Sequence, residues 1–152
     1  MRCLVSFGFL ALVTAVAVPA AASSLDTKPA DQESIAALEV KIGQAQPREQ
    51  CYLYAELIHQ MTEFSLQQYS AGDVQKANSM LKQVQLLAHK LHLSVADNDK
   101  RLKNAEILLR HTAFRLNEML HSSSYEDRPL LEQTLAQVNQ ADNEAMLQVF
   151  KK

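Results

Sequence analysis

The sequence predicts an all-α protein: an antiparallel four-helix bundle with a short additional N-terminal helix. Two observations point there. From Asp73 to Val95 (DVQKANSMLKQVQLLAHKLHLSV), Val74, Ala77, Leu81, Val84, Ala88, Leu91 and Val95 recur at alternating spacings of three and four. That rhythm gives one apolar stripe on a helix. The chain also holds only 3 Gly and 4 Pro, too few for the many tight turns of an all-β fold. With 152 residues and 47% hydrophobic composition, it can bury the core of one domain.

Residues 1–22 (MRCLVSFGFLALVTAVAVPAAA) carry one basic residue, Arg2, then an apolar run, then small residues at Ala20 and Ala22. This reads as a secretory signal peptide cleaved after Ala22. The alternative is an uncleaved anchor, but the apolar run from Cys3 to Val18 falls short of the ~20 residues a spanning helix needs. Cys3 lies too early to be a lipidated cysteine at a cleavage site. No second long apolar run follows, so the expected mature protein is soluble, periplasmic or secreted, with no membrane contact after cleavage. Its formal charge of −2 becomes −3 without Arg2, a mixed surface with no electrostatic footprint for nucleic acid or anionic lipid. Cleavage leaves one cysteine, Cys51. It sits at the edge of an apolar face, where it serves as a small buried hydrophobe or pairs between chains.

Residues 23–31 (SSLDTKPAD) read as a polar, flexible leader. The single bundle domain is expected over residues 32–152. Its short first helix spans residues 32–46, with Ile35, Leu38, Ile42 and Ala45 at helical spacing, and stops before Pro47. Pro47 suits the first turn of a second helix running to Ala71, with Leu53, Tyr54, Leu57, Ile58, Met61 and Phe64 on its apolar face. Gly72 ends it, Asp73 caps the third, and so short a turn makes an antiparallel hairpin. ADND (96–99) supplies the next turn and cap. The fourth helix, 100–121, carries Leu102, Ala105, Leu109, Thr112, Leu116 and Met119. After the loop SSSYED, Asp127 is expected to cap the last helix, with Pro129 in its first turn and Leu131, Leu135, Val138, Ala145 and Val149 on its face. Four such helices joined by short turns pack most simply as an antiparallel bundle.

The third and fourth helices each bear a second, narrower stripe, opposite the first: Leu86 and Leu93 on one, Ile107 and Phe114 on the other. Either the short first helix docks there, or the face awaits a second copy or a client protein. These four residues are the interaction candidates.

Two Glu-x-x-His pairs, Glu56/His59 and Glu118/His121, have the spacing used in di-metal helical bundles. On a wheel of about 100° per residue both lie on polar faces, and the third helix offers no carboxylate between Asp73 and Asp97. Solvated surface pairs are expected. His89 and His92, at i and i+3, are the remaining metal candidates; two imidazoles can hold surface Zn²⁺ or Cu²⁺ weakly, short of the three or four ligands of a full site. Asp142 lies on the core face of the last helix between Val138 and Ala145, and a buried carboxylate needs a partner. Tyr54 and His89 are expected at its level as donors. Nucleophile elbow, phosphate loop, haem attachment and EF-hand patterns are all missing from the sequence. No cofactor is expected, and Cys51 has no histidine base on its own face.

The second and third helices resemble one tetratricopeptide-type hairpin over about 61–89. In MTEFSLQQYSAGDVQKANSMLKQV, Phe64 and Ser65 stand near the family's first-helix Leu-Gly pair. Gly72 falls in the turn, Ala77 at the small position of the second helix and Leu81 at its aromatic position. The chain departs at Gln68, where an aromatic is usual, at Val84, which replaces the second small residue, and at His89, where a Pro would end the repeat. The likeness is to a single repeat, about 34 residues long in that family, with no second copy, so a solenoid is not expected. It implies a protein-interaction scaffold. The chain as a whole resembles small exported all-helical bacterial proteins, a likeness that implies no activity. The function expected is a non-enzymatic interaction or structural module of the cell envelope; the alternative is a metal- or small-ligand-binding bundle.

Overall fold

The computed structural model describes residues 30–94 and 101–151. The expected signal peptide, most of the leader and the ADND turn lie outside the described residues, as do the side chains of His92 and Leu93. The described residues form five helices and no strand: α1 (Gln32–Gln44), α2 (Pro47–Ser70), α3 (Val74–Ser94), α4 (Leu102–Ser122) and α5 (Arg128–Phe150). None of them is long and apolar enough to cross a membrane.

Local chemistry sets the ends. Asp31 and Ser34 form a reciprocal capping box at the start of α1, with Ser34 N donating to Asp31 Oδ1 at 2.6 Å. Pro47 opens α2. At its end Gly72 adopts φ +85°, a left-handed geometry that costs a side-chain-bearing residue energy. Gly72 N donates to Tyr69 O and Asp73 N to Gln68 O, so the last carbonyls of α2 are satisfied within the turn. Asp73 Oδ1 then accepts from Lys76 N at 3.1 Å and caps α3. Asp127, expected to cap α5, makes no such bond. Its carboxylate accepts from Tyr69 Oη at 3.1 Å, Asn78 Nδ2 at 2.9 Å and Ser124 Oγ at 2.7 Å instead. Side-chain donors from α2 and α3 win it, and the carboxylate ties the two helix turns together.

Packing follows one pattern. α2 packs against α1, α3 and α4, while α5 packs against α3 and α4. Among the described residues α3 does not meet α4, nor α2 meet α5. Paired side chains give the directions. Tyr52 meets Arg101, His59 meets Thr112 and Glu63 meets Arg115, with numbers rising together, so α2 and α4 run the same way. Asn78 meets Asp127 and Gln85 meets Gln133, so α3 and α5 do too. The helices therefore form two hairpins, α2–α3 and α4–α5, laid side by side.

The core lies between them. Ala77, Leu81, Val84, Ala88 and Leu91 of α3 are fully buried, as are Leu109 and Leu116 of α4 and Leu131, Val138, Ala141 and Ala145 of α5. Between α2 and α3, Ser65 Oγ donates to Ala77 O at 3.0 Å, both residues fully buried. Cys51 is buried in this core. Leu81→Ala or Leu116→Ala should lower unfolding free energy by about 3 kcal/mol in urea titrations, the usual cost of a buried leucine cavity. Leu86→Ala, at an exposed position, should change it by less than about 0.5 kcal/mol.

Candidate functional site

The outward positions of α3 and α4 come first. Leu86 is 71% exposed, Ile107 52% and Phe114 58%. The side chain of Leu93 lies outside the described residues. Among the described residues α1 packs on α2 alone, so it does not cover Leu86, Ile107 or Phe114. Since α3 and α4 occupy opposite corners, Leu86 and the Ile107–Phe114 pair mark two separate faces rather than one patch.

A polar seam runs between α2 and α4. His59 was expected on a solvated face; it is 8% exposed, because α4 packs along that side of α2. Its Nδ1 lies 3.1 Å from Thr112 Oγ1, which in turn donates to Leu108 O at 2.8 Å. A hydroxyl has one proton to give, so His59 Nδ1–H is the donor and Nε2 keeps the lone pair. The His111 ring stands beside it, centroids 5.1 Å apart. Arg115 completes the seam, giving hydrogen bonds to Glu63 at 2.7 and 3.2 Å and to Glu118 at 2.5 Å. The bond to Glu63 is the main reason the guanidinium holds its proton more tightly than usual. Burial pushes the His59 imidazole below its ordinary 6.5; Glu63 opposes this, while His111 and Arg115 add to it. Glu118 and His121 are exposed and Glu56 is half-buried. Among the described residues no group of three or more His, Cys, Asp or Glu could hold a metal ion.

Asp142 is half-buried, and its Oδ1 is enclosed with no hydrogen-bond partner among the described residues. The expected donors do not reach it. His89 is exposed on α3, and Tyr54 of α2 lies beneath the Lys90 ammonium, 5.1 Å from the ring centre. For Tyr54 the cause is topological, since among the described residues α5 does not touch α2; His89 belongs to a helix that α5 does meet, but it is turned to solvent. Asp142 faces α4 instead, near Glu106, which is buried and ion-paired with Arg110. Burial raises the Asp142 carboxyl, Glu106 raises it further and Arg110 pulls it back. Of the surface histidine pair, His89 is exposed and the side chain of His92 is outside the described residues.

A shallow cleft of about 190 Å³ opens between Lys41, Glu49, Tyr52, Leu53 and Arg101. The Arg101 guanidinium lies 3.5 Å over the Tyr52 ring. The space is below the roughly 300 Å³ at which small-molecule pockets begin.

Comparison of the chain with models of known protein families, with curated proteins and with solved structures finds no match. The tetratricopeptide-type likeness of residues 61–89 gains no support from it.

Two pH dependences follow. The fold favours neutral His59, so that stability is complete above about 6.5 and is lost as pH falls below it. The melting temperature should drop between pH 7 and 5, and His59→Gln should flatten that slope. Asp142 has the opposite sign: its raised value means the fold favours the protonated carboxyl, and stability is lost as pH rises through that value. Asp142→Asn should therefore melt higher at pH 7, an advantage that vanishes by about pH 3.

Proposed function

We propose that the protein is a non-enzymatic interaction or structural module that acts outside the cytoplasm. In this reading the first 22 residues direct export and are removed, and residues 32–152 work as one domain. The four long helices act as a four-helix bundle, antiparallel from each helix to the next along the chain, with α1 as a short N-terminal addition. The partner is a protein or a second copy of the chain; nucleic acid and membrane have no part.

One observation carries the proposal. Ile107 and Phe114 stand two turns apart on the outer side of α4, more than half exposed, and α1 does not cover them. Isolated exposed apolar residues are ordinary, but a large aromatic and a β-branched residue aligned on one helix face suit a helix or groove laid against them. The small cleft and the absence of catalytic sequence patterns give an enzymatic reading nothing comparable to rest on.

Two measurements test it. In cell fractions the protein should be found outside the cytoplasm, with an intact mass beginning at Ser23; a cytoplasmic chain retaining Met1 would refute export. By light scattering, the tag-free mature protein should self-associate or form a complex of defined stoichiometry with a protein retained from envelope extract. Ile107→Glu/Phe114→Glu should abolish that association without shifting the melting temperature, while Leu86→Glu/Leu93→Glu reports on the α3 face. A strict monomer that retains no partner, or association indifferent to both pairs, would defeat the proposal.

A further inference from the structure

We propose that His59 and His111 form a two-histidine site for a late first-row divalent cation, with Cu²⁺ and Zn²⁺ as its best occupants, at the seam between α2 and α4. The first argument is spacing. When two imidazoles bind one ion with metal–nitrogen bonds of about 2.0–2.1 Å, their ring centres stand about 4.5 Å apart as neighbours in the square-planar geometry Cu²⁺ prefers and about 5 Å apart in the tetrahedral geometry of Zn²⁺. The centres of His59 and His111 are 5.1 Å apart, with the ring planes inclined at 48°.

The second argument is the way His59 is held. Its Nδ1–H is directed to Thr112, whose hydroxyl is anchored on the Leu108 carbonyl. Histidines that bind metals almost always give their other N–H to a fixed acceptor, which selects the tautomer and orients the ring. Here that acceptor is in place, and no hydrogen bond to His59 Nε2 is found among the described residues. His59 is thus a buried, oriented imidazole with a lone pair to offer, while His111 is exposed and admits an ion from solvent.

The charges nearby permit a cation. Arg115 is the cationic group at the seam, and Glu63 and Glu118 both pair with it. With neutral imidazoles the group carries one net negative charge. Imidazole nitrogen suits copper, zinc and nickel, and copper binds most tightly in that series. Two protein ligands leave the other positions to water, so the ion is exchangeable. Because the ligands come from two helices, the ion bridges α2 and α4.

The test uses the full mature chain without an affinity tag. Titrated with Cu²⁺ alone, it should take up one equivalent, with the electron paramagnetic resonance pattern of two imidazole nitrogens. Saturating Zn²⁺ should raise the melting temperature. His111→Ala, at an exposed position, should fold normally and weaken binding at least about tenfold, with the signature reduced to one nitrogen. Thr112→Val should weaken it by about tenfold through loss of the orienting bond. His89→Ala/His92→Ala should leave binding unchanged, since that pair is the competing surface site. Binding that survives His111→Ala, that disappears in His89→Ala/His92→Ala, or that is not saturable below about 1 mM would overturn the assignment.

Discussion

The structure depends on α2 being enclosed by three other helices. Apolar burial drives such packing but has no direction, so by itself it leaves helices free to slide and rotate. The polar side chains that α2 takes into the interior supply the direction. Thr62 satisfies its hydroxyl on the Ile58 carbonyl of its own helix. Ser65 and His59 cannot be left bare at that depth, and both reach outward, Ser65 to Ala77 of α3 and His59 to Thr112 of α4. A buried polar group without a partner costs about 1–3 kcal/mol. Any other register of α3 or α4 against α2 would incur that cost.

The same accounting separates two aspartates of the second hairpin. Asp127 gathers three side-chain donors from three parts of the chain, and these hold its carboxyl below the ordinary range: Asn78 contributes most, then Ser124, with Tyr69 adding to them. That arrangement fastens the α4–α5 turn to the end of the α2–α3 hairpin. Asp142 sits at the far side of the α4–α5 interface with an enclosed oxygen that no described residue hydrogen-bonds and a buried glutamate for a neighbour. One carboxylate anchors the hairpin. The other is carried by the apolar packing around it, from Leu131 to Ala145.

Legibility in the sequence divides along the same line. The three-four rhythm located every helix, and the stripe from Ala77 to Leu91 is fully buried. Gly72 and Asp73 end and begin helices as their chemistry requires. A helical wheel, however, describes one helix, and the sites depend on pairs. His59 reads as polar-face on its own wheel; it is interior because α2 and α4 are neighbours running in the same direction. Tyr54 stands at a reasonable level for Asp142 only if α5 lies beside α2, which among the described residues it does not, and His89, on a helix that α5 does meet, is turned to solvent. His111 could have been noticed as the residue preceding a seam threonine, but nothing in the chain order announces that α2 supplies its companion. Asp127 is similar: its position before Pro129 is that of a cap, and only the meeting of two turns diverts its carboxylate.

Placing α3 and α4 at opposite corners also sharpens the question of which exposed face can recruit a partner. Protein interfaces combine an apolar centre with a polar rim that sets orientation. On α4, His111 lies about 40° round the helix from Ile107 on one side and Arg110 about 60° on the other. Both are exposed. A helix laid along Ile107 and Phe114 would therefore have a cationic group on one flank and the edge of the α2–α4 seam on the other. Opposite, Leu86 is flanked at four residues on either side by Lys82 and Lys90, both exposed. Charge is therefore at hand on both faces, and the apolar residues distinguish them. On α4 two large apolar residues, Ile107 and Phe114, line up beside that rim, whereas among the described side chains of α3 Leu86 stands alone, so α4 offers an arriving helix the longer adhesive edge.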